Sequence, residues 1–227
     1  MTSPLQIKGL LLDMDGLLLD TEKVSERCWI GAEQETGFFM PDGFYFTLIG
    51  QSMRCIRDKL IKVMDPACDV DEFLKVAGRI YTDALTNEQV PVKSGAEEFL
   101  KYLETNQIPR CLATSTGRDL CRLKLESSGL LKWLPLRVCG NDVAQSKPAP
   151  DIYLKAAETV GFPPAELLAV EDSQNGLISA MDAGCRTAHI PDLDRVDLAV
   201  HTKVDRIYRD LSEFIAALER SEIVVGR

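Results

Sequence analysis

Polar side chains follow four short apolar segments of this sequence. They are acids, hydroxyl groups and one lysine, in the order Asp13, Asp15, Thr114, Ser115, Thr116, Lys147, Glu171 and Asp172. If the apolar segments are parallel strands of one sheet, their carboxyl ends meet at one edge, where such sheets bind ligands. We therefore expect these side chains to converge on one site.

The residue types in this set predict a phosphate site that contains a metal ion. Several carboxylates crowded together repel one another and need a cation between them. Oxygen ligands select a hard ion, and Mg²⁺ suits a site with few carboxylates, retained waters and a substrate phosphate. The nearby lysine and hydroxyl groups can hold the other oxygens of that phosphate.

The first acidic pair also suits covalent chemistry. Asp13 is a candidate nucleophile because carboxylates form aspartyl-phosphate intermediates. Asp15, two residues later, can act as a general acid and then as a general base. Each cluster alone has a plainer explanation, such as a turn, a helix cap or a surface lysine. Their order at the ends of four predicted strands favours the catalytic interpretation.

Composition narrows the class of protein. The chain has 227 residues, of which 45% are hydrophobic, and this is enough for a sizeable core. With 26 Lys and Arg against 35 Asp and Glu, its net charge is −9, which disfavours nucleic acid and anionic lipid as partners. The seven scattered cysteines are typical of reduced thiols, and the first apolar segment is too short to span a membrane. We expect a cytoplasmic protein.

The elements that would position these residues alternate between strand and helix. Unbroken apolar runs are typical of strands buried on both faces of a parallel sheet, and they predict strands at 7–12, 111–113, 136–139, 167–170, 187–190 and 204–207. Helices are predicted from a capping box at Ser94 and Glu97, and at 120–128, 151–160 and 177–183, the last three ending before glycines. This alternation predicts an α/β fold with a parallel sheet.

Residues 21–88 break the alternation and show helical patterns only. One helix is predicted at 24–35, a second after a cap at Ser52, and a third after Asp69. The expected organisation is an α/β catalytic core of residues 1–20 and 89–227, interrupted by a helical cap domain of residues 21–88.

Four motifs resemble those of the haloacid dehalogenase superfamily, in order and in spacing, over nearly the whole chain. They are Asp13-Met-Asp-Gly-Leu-Leu-Leu-Asp-Thr-Glu, Leu112-Ala-Thr-Ser, Lys147-Pro-Ala-Pro-Asp-Ile-Tyr and Glu171-Asp-Ser-Gln-Asn-Gly with Ala183-Gly184. The resemblance implies a Rossmann-like, three-layer parallel-sheet core. The position of the helical insert is similar to the subgroup with an α-helical cap, which includes phosphatases and β-phosphoglucomutase.

The resemblance also implies a catalytic role for each motif. Asp13 would attack phosphorus in line, and Asp15 would protonate the leaving oxygen and then activate water. Thr114 and the amide of Ser115 would hold the phosphoryl oxygens. Lys147 would steady Asp13 and neutralise charge. Most of the rate would then come from positioning and charge neutralisation.

The implied Mg²⁺ ligands are Asp13, Asp172 and the backbone carbonyl of Asp15, with Glu171 acting through water or orienting the site. Gly16 is expected to contact the substrate. The presence of Asp15 and Asp172 argues against the dehalogenase branch, which lacks Mg²⁺ and the second aspartate.

The predicted cap offers further candidates for substrate binding. Gly50-Gln51-Ser52 resembles the cap loop that reaches over the site, so Gly50 is expected to contact the substrate, as is Arg54. Lys59 and Arg79 are further cationic candidates, although a solvated helix face explains all three cations equally well. Packing between cap helices is the favoured role of the aromatic residues Trp29, Phe38, Phe39, Phe44, Tyr45 and Phe46. His189 and His201 match no motif and are expected to be structural.

Hydrolysis and mutase chemistry require the same core. β-Phosphoglucomutases carry a histidine close to Ser25 and an arginine after the cap-loop serine, where this chain has Met53 and then Arg54. We therefore predict a Mg²⁺-dependent phosphatase of a small phosphorylated metabolite, monomeric or homodimeric, with a phosphosugar mutase as the alternative. A phospho-receiver module is disfavoured, because it is shorter, has no helical insert and lacks the second aspartate. The intact motif set also disfavours a purely structural protein.

Overall fold

The computed structural model describes residues 3–49, 53–193 and 196–226. The strands within these ranges are β1 (Leu5–Ile7), β2 (Gly9–Leu12), β3 (Arg110–Ala113), β4 (Arg137–Val138), β5 (Leu167–Glu171), β6 (Arg186–His189), β7 (Arg206–Ile207) and β8 (Ile223–Val225). The α-helices are α1 (Thr21–Thr36), α2 (Met53–Val63), α3 (Val70–Asn87), α4 (Ala96–Thr105), α5 (Arg118–Ser127), α6 (Asp151–Val160), α7 (Gln174–Asp182), α8 (Leu198–His201) and α9 (Leu211–Glu219).

Six parallel strands form the main sheet, in the order β4-β3-β2-β5-β6-β7. From β2 the chain first builds outwards through β3 and β4, and then returns to the other side of β2 to lay down β5, β6 and β7. Leu12 at the end of β2 therefore lies opposite both Leu112 and Val170. The order reverses between β2 and β5, and the crevice at their carboxyl ends is the expected ligand site.

The two faces of β2 enter different cores, which gives the fold three layers. Leu10 and Leu12 pack into a cluster with Phe99 of α4 and Phe214 of α9. Leu11 points to the opposite face, with Tyr153 of α6 in its cluster. Because successive side chains of a strand alternate between faces, an unbroken apolar run is needed where helices cover both sides. The predicted fold class, a three-layer α/β core with a helical cap, is confirmed.

Most predicted elements are present, and the differences are few. The first apolar run divides at Lys8, so that β1 leaves the main sheet and pairs with β8, which was not predicted. Helices α8 and α9 were not predicted either. The predicted capping box at Ser94 is wrong: Gly95 is the N-cap, with φ 81°, and α4 begins at Ala96 without a side-chain cap. The chain turns at the glycine, which adopts a left-handed conformation more readily than a serine.

Helices α1, α2 and α3 form the cap and have an apolar cluster of their own. The rings of Trp29 and Phe73 lie 5.8 Å apart, and those of Trp29 and Tyr45 lie 6.0 Å apart. The predicted packing role is confirmed for Trp29, Phe38, Phe44 and Tyr45, whereas Phe39 and Phe46 are exposed. The Asp69 side chain caps α3 by accepting from two backbone N–H groups at 3.1 Å, whereas Ser52 lies outside the described residues. The cap boundaries at 21 and 88 stay a prediction.

In the described part of the chain, no helix is long and apolar enough to cross a membrane.

Candidate active site

Asp13 stands at the end of β2, at the crevice where the strand order reverses. Its backbone N–H donates to the carbonyl of Val170 at 3.1 Å, which continues the register with β5. Its carboxylate is buried and accepts a hydrogen bond from Lys147 Nζ at 2.5 Å. Burial disfavours the charged form and raises the pKa of Asp13 to about 7, although Lys147 opposes the shift. Any cation that entered the site would favour the charged form of Asp13 over the protonated form.

Lys147 bridges two acids. Its ammonium group lies 2.5 Å from Asp13 Oδ1 and 2.6 Å from Glu171 Oε1, and its side chain is only 5% exposed. Burial lowers the pKa of this lysine, but the two carboxylates outweigh burial and hold the pKa above its ordinary value. Tyr153 Oη donates to the same Glu171 oxygen at 2.5 Å. Glu171 therefore fixes Lys147 beside Asp13.

Asp13, Glu171 and Asp172 have the geometry of a metal site. One carboxylate oxygen from each lies within 4.8 Å of the other two, and all three residues are buried. Asp172 Oδ1 is buried without a hydrogen-bond partner among the described residues, and burial beside Asp13 raises the pKa of Asp172 well above its ordinary value. A hard cation would satisfy this oxygen and relieve the repulsion, so these residues fit Mg²⁺.

Two glycines leave room for these acids. Gly16 has φ 88°, and a Cβ atom there would lie 2.7 Å from Asp172 Cγ and overlap the carboxylate. A Cβ atom at Gly176 would overlap the Glu171 carboxylate in the same way. From the sequence, Gly16 is predicted as a substrate contact. In the structure, the Asp172 carboxylate fills the space that a side chain at this position would occupy.

The Asp15 carboxylate lies outside this acidic group. It accepts hydrogen bonds at 2.7 Å from Thr21, from Thr116 and from Lys124. Burial pushes the pKa of Asp15 upwards, but Lys124 and the hydrogen bonds outweigh burial and lower it below the ordinary value. Lys124 is buried on α5 and belongs to none of the four motifs, so no signal in the sequence pointed to it.

The loop after β3 supplies the hydroxyl groups. Thr114 is buried, and its Oγ1 accepts from the Thr116 backbone N–H at 3.1 Å. Ser115 is exposed towards the cavity that Asp13 lines. This cavity has a volume of about 400 Å³, and the lining residues are Asp13, Asp15, Glu22, Ile49, Met53, Thr114, Ser115, Thr116, Ser146, Lys147, Asp172, Ser173, Asn175, Asp192 and Leu193.

The cap reaches the cavity with residues other than those predicted. Met53 and Glu22 line it, whereas Arg54 is exposed and is not among the described lining residues. Gly50 lies outside the described residues. The other two cationic candidates have partners within the cap: Lys59 donates to the Thr47 carbonyl, and Arg79 pairs with Glu35.

Glu22 is the last residue of the first motif, so the motif itself could have pointed to it. The Tyr45 hydroxyl donates to Glu22 Oε2 at 2.9 Å. His189 lies beneath the site, with Nε2 3.2 Å from the Asp172 carbonyl, and its ring contacts His201. Both histidines therefore stay outside the cavity lining, as expected for structural residues.

Comparison with known proteins agrees with the fold and the motifs. The family described as haloacid dehalogenase-like hydrolase matches residues 10–190, and the chain belongs to this family. A Drosophila melanogaster protein named as a probable pseudouridine-5'-phosphatase is 32% identical over 188 residues, 80% of each chain. Hexitol phosphatase A of Escherichia coli (strain K12) is 28% identical over 204 residues, 87% of this chain and 92% of that protein.

A solved structure shares the fold. The crystal structure of CbbY from Rhodobacter sphaeroides in complex with phosphate superposes with a TM-score of 0.77 at 23% identity, covering 94% of this chain and 99% of that one. The predicted enzyme class, a haloacid dehalogenase-like phosphoric monoester hydrolase, is confirmed by the family match together with relatives named as phosphatases.

Proposed function

We propose that this chain is a Mg²⁺-dependent phosphatase that hydrolyses a small phosphorylated metabolite through an aspartyl-phosphate intermediate. The observation that carries the proposal is the position of Asp13. Its carboxylate lies at the strand crevice, where it accepts a hydrogen bond from Lys147 and forms, with Glu171 and Asp172, the acidic group that fits a metal, in a cavity that Asp15 also lines.

In the first half of the reaction, an Asp13 oxygen attacks phosphorus, and the bond from phosphorus to the leaving oxygen breaks. Asp15 donates a proton to that leaving oxygen. The hydroxyl of Thr114 and the amide of Ser115 hold the phosphoryl oxygens during the transfer. Lys147 keeps the Asp13 carboxylate oriented and offsets negative charge.

In the second half, Asp15 takes a proton from a water molecule whose oxygen attacks the phosphorus. The bond from phosphorus to Asp13 breaks, and inorganic phosphate leaves. Asp13, Asp172 and the Asp15 carbonyl would hold Mg²⁺, with Glu171 orienting the site. When bound, Mg²⁺ neutralises the charge on the phosphoryl group and on the carboxylates.

The remaining cavity lining supports a substrate class. Glu22 and Asp192 add carboxylates to the cavity, with Asp192 paired to Lys93. Carboxylates accept hydrogen bonds from hydroxyl groups and repel a second anionic group. We therefore propose a monophosphate whose leaving group is neutral and rich in hydroxyl groups, such as a sugar or polyol. We further propose that the enzyme acts in the cytoplasm as a monomer or homodimer, without nucleic acid or membrane as partner.

A screen for phosphate released from phosphorylated metabolites in the presence of Mg²⁺ tests this proposal. The set should contain matched pairs, such as glycerol 3-phosphate with phosphoglycolate, and a sugar monophosphate with its bisphosphate. We expect faster release from the neutral, hydroxyl-rich member of each pair. Absence of Mg²⁺-dependent phosphate release from every member, and from p-nitrophenyl phosphate, would refute the phosphatase.

A second incubation distinguishes the phosphatase from a phosphosugar mutase. Met53, which lines the cavity, stands where mutases carry an arginine, and Ser25 stands near the position of their cap-helix histidine. With β-glucose 1-phosphate and a trace of the bisphosphate, we expect free phosphate. Glucose 6-phosphate formed faster than free phosphate would establish the mutase instead.

A further inference from the structure

Asp15 is held by three donors, of which Lys124 lies outside all four motifs. Its Oδ1 accepts from Thr21 Oγ1 and from Lys124 Nζ, and its Oδ2 accepts from Thr116 Oγ1, each at 2.7 Å. The Lys124 side chain is only 6% exposed. A buried ammonium group is costly unless its partners compensate, so this lysine is a specific feature of the site.

The surroundings of Lys124 fix its ammonium group from the cap side as well. Its Nζ lies 5.5 Å from the centre of the Tyr81 ring, within the range of a cation–π interaction. Tyr81 belongs to α3 and Thr21 begins α1, whereas Lys124 and Thr116 belong to the core. The orientation of the Asp15 carboxylate therefore depends on groups from both the cap and the core.

This donor set matches one of the two states that Asp15 passes through in the proposed reaction. Both oxygens accept charge-assisted or hydroxyl hydrogen bonds, and such an arrangement suits a carboxylate rather than a carboxylic acid. Asp15 is a carboxylate after it has protonated the leaving oxygen. It must then point at the attacking water, so its orientation matters most in the second half of the reaction.

We infer that Lys124 is a positioning residue that orients the Asp15 carboxylate for hydrolysis of the aspartyl phosphate. The inference rests on the proposed phosphatase mechanism. If the inference is right, loss of Lys124 affects the two half-reactions unequally. It should slow the attack of water far more than the transfer of phosphate to Asp13. A merely structural lysine would lower both rates together, because both need the same folded site.

Rapid-mixing kinetics with p-nitrophenyl phosphate and Mg²⁺ can test this separation. p-Nitrophenolate leaves without a proton, so its release reports phosphorylation of Asp13 independently of acid catalysis. For Lys124→Met we expect a burst close to one p-nitrophenol per active site. The phosphorylation rate constant should fall less than about threefold and the steady-state rate at least about tenfold, a modest part of what a general base contributes.

Arg122→Met is the matched control, because Arg122 is an exposed cation on the same helix, paired with Glu126. It should leave both rate constants unchanged. Thr116→Val removes another donor to Asp15 without burying an unpaired charge, and we expect a smaller shift in the same direction. It provides the test if Lys124→Met does not fold, as judged by thermal unfolding.

Two results would contradict this expectation, and they differ in which proposal they overturn. If the wild-type protein shows no Mg²⁺-dependent turnover, the proposed function fails, and this inference falls with it. If the wild-type protein turns over and the folded variants lose both rate constants by one common factor, or lose neither, Lys124 does not position Asp15 for hydrolysis.

Discussion

Replacing Gly16 with alanine tests the proposed metal site through a residue that need not itself bind the metal. The new Cβ would lie 2.7 Å from Asp172 Cγ, whereas ordinary contacts begin at 3.4 Å. Asp172, the Gly16 backbone or both must therefore shift, by about 0.7 Å for this one contact to become an ordinary one. Protein ligands of Mg²⁺ require distances of about 2.0–2.1 Å in near-octahedral geometry, so a shift of this size removes Asp172 from the site or distorts it.

Two effects of this substitution can be given magnitudes. Alanine at φ 88° is strained and should cost about 1–2 kcal/mol of unfolding free energy. Displacement of Asp172 should raise the Mg²⁺ concentration for half-maximal activity by about 10- to 100-fold, the effect typical of disturbing the support of a metal ligand. The first effect concerns stability and the second concerns metal affinity, so they can be measured separately.

The assay is a Mg²⁺ titration of p-nitrophenyl phosphate hydrolysis, combined with thermal unfolding of the same samples. Gly184→Ala is the matched control, because Gly184 has φ 83° and a Cβ atom added there would have no neighbouring atom within 4 Å. It should lose similar stability and keep the wild-type Mg²⁺ dependence. If Gly16→Ala and Gly184→Ala both show the wild-type dependence, the reasoning about Asp172 is wrong.

Four more perturbations test the site. Asp13→Asn keeps the size of the nucleophile without its charge, so turnover should fall below about a tenth of wild type while thermal unfolding shows an intact fold; higher activity would remove Asp13 as the nucleophile. EDTA should abolish activity, Mg²⁺ should restore it, and Ca²⁺ should inhibit because of its larger, looser coordination; activity unchanged in excess chelator would exclude the metal requirement. Burial raises the pKa of Asp13 to about 7 and that of Asp172 well above its ordinary value, so the folded chain binds these protons more tightly than the unfolded chain, and Tm in EDTA should rise as pH falls from about 8 to 5. The pKa of Asp15 is lowered, so its stabilising contribution is constant over this range and is lost only at more acidic pH. A flat or opposite profile would contradict those shifts. Glu22→Gln removes a negative charge from the cavity and should raise kcat/KM for phosphoglycolate relative to glycerol 3-phosphate by about fivefold, since one charge interaction of this kind is worth about 1 kcal/mol; an unchanged ratio would remove Glu22 as a determinant of specificity.

The sequence by itself determined the sheet and the residues at its carboxyl edge. Apolar runs without alternation predict strands covered on both faces, and parallel strands place the residues that follow them at one edge. Asp13 and Asp172, which directly follow β2 and β5, are brought together for this reason. Helix ends marked by glycine were equally accessible: α6 spans the predicted residues and ends at Gly161, which has φ 87°.

Tertiary structure alone decided which side chains of the helices reach the site. Lys124 lies 109 residues from Asp15 in sequence, and its position within α5 does not distinguish it from an exposed lysine. Consecutive helical residues point about 100° apart, so the sequence could not show that Met53 rather than Arg54 lines the cavity. Local patterns encode the period and the ends of an element, whereas the rotation of a helix about its axis, and hence the partner of each side chain, is set by packing against the rest of the fold.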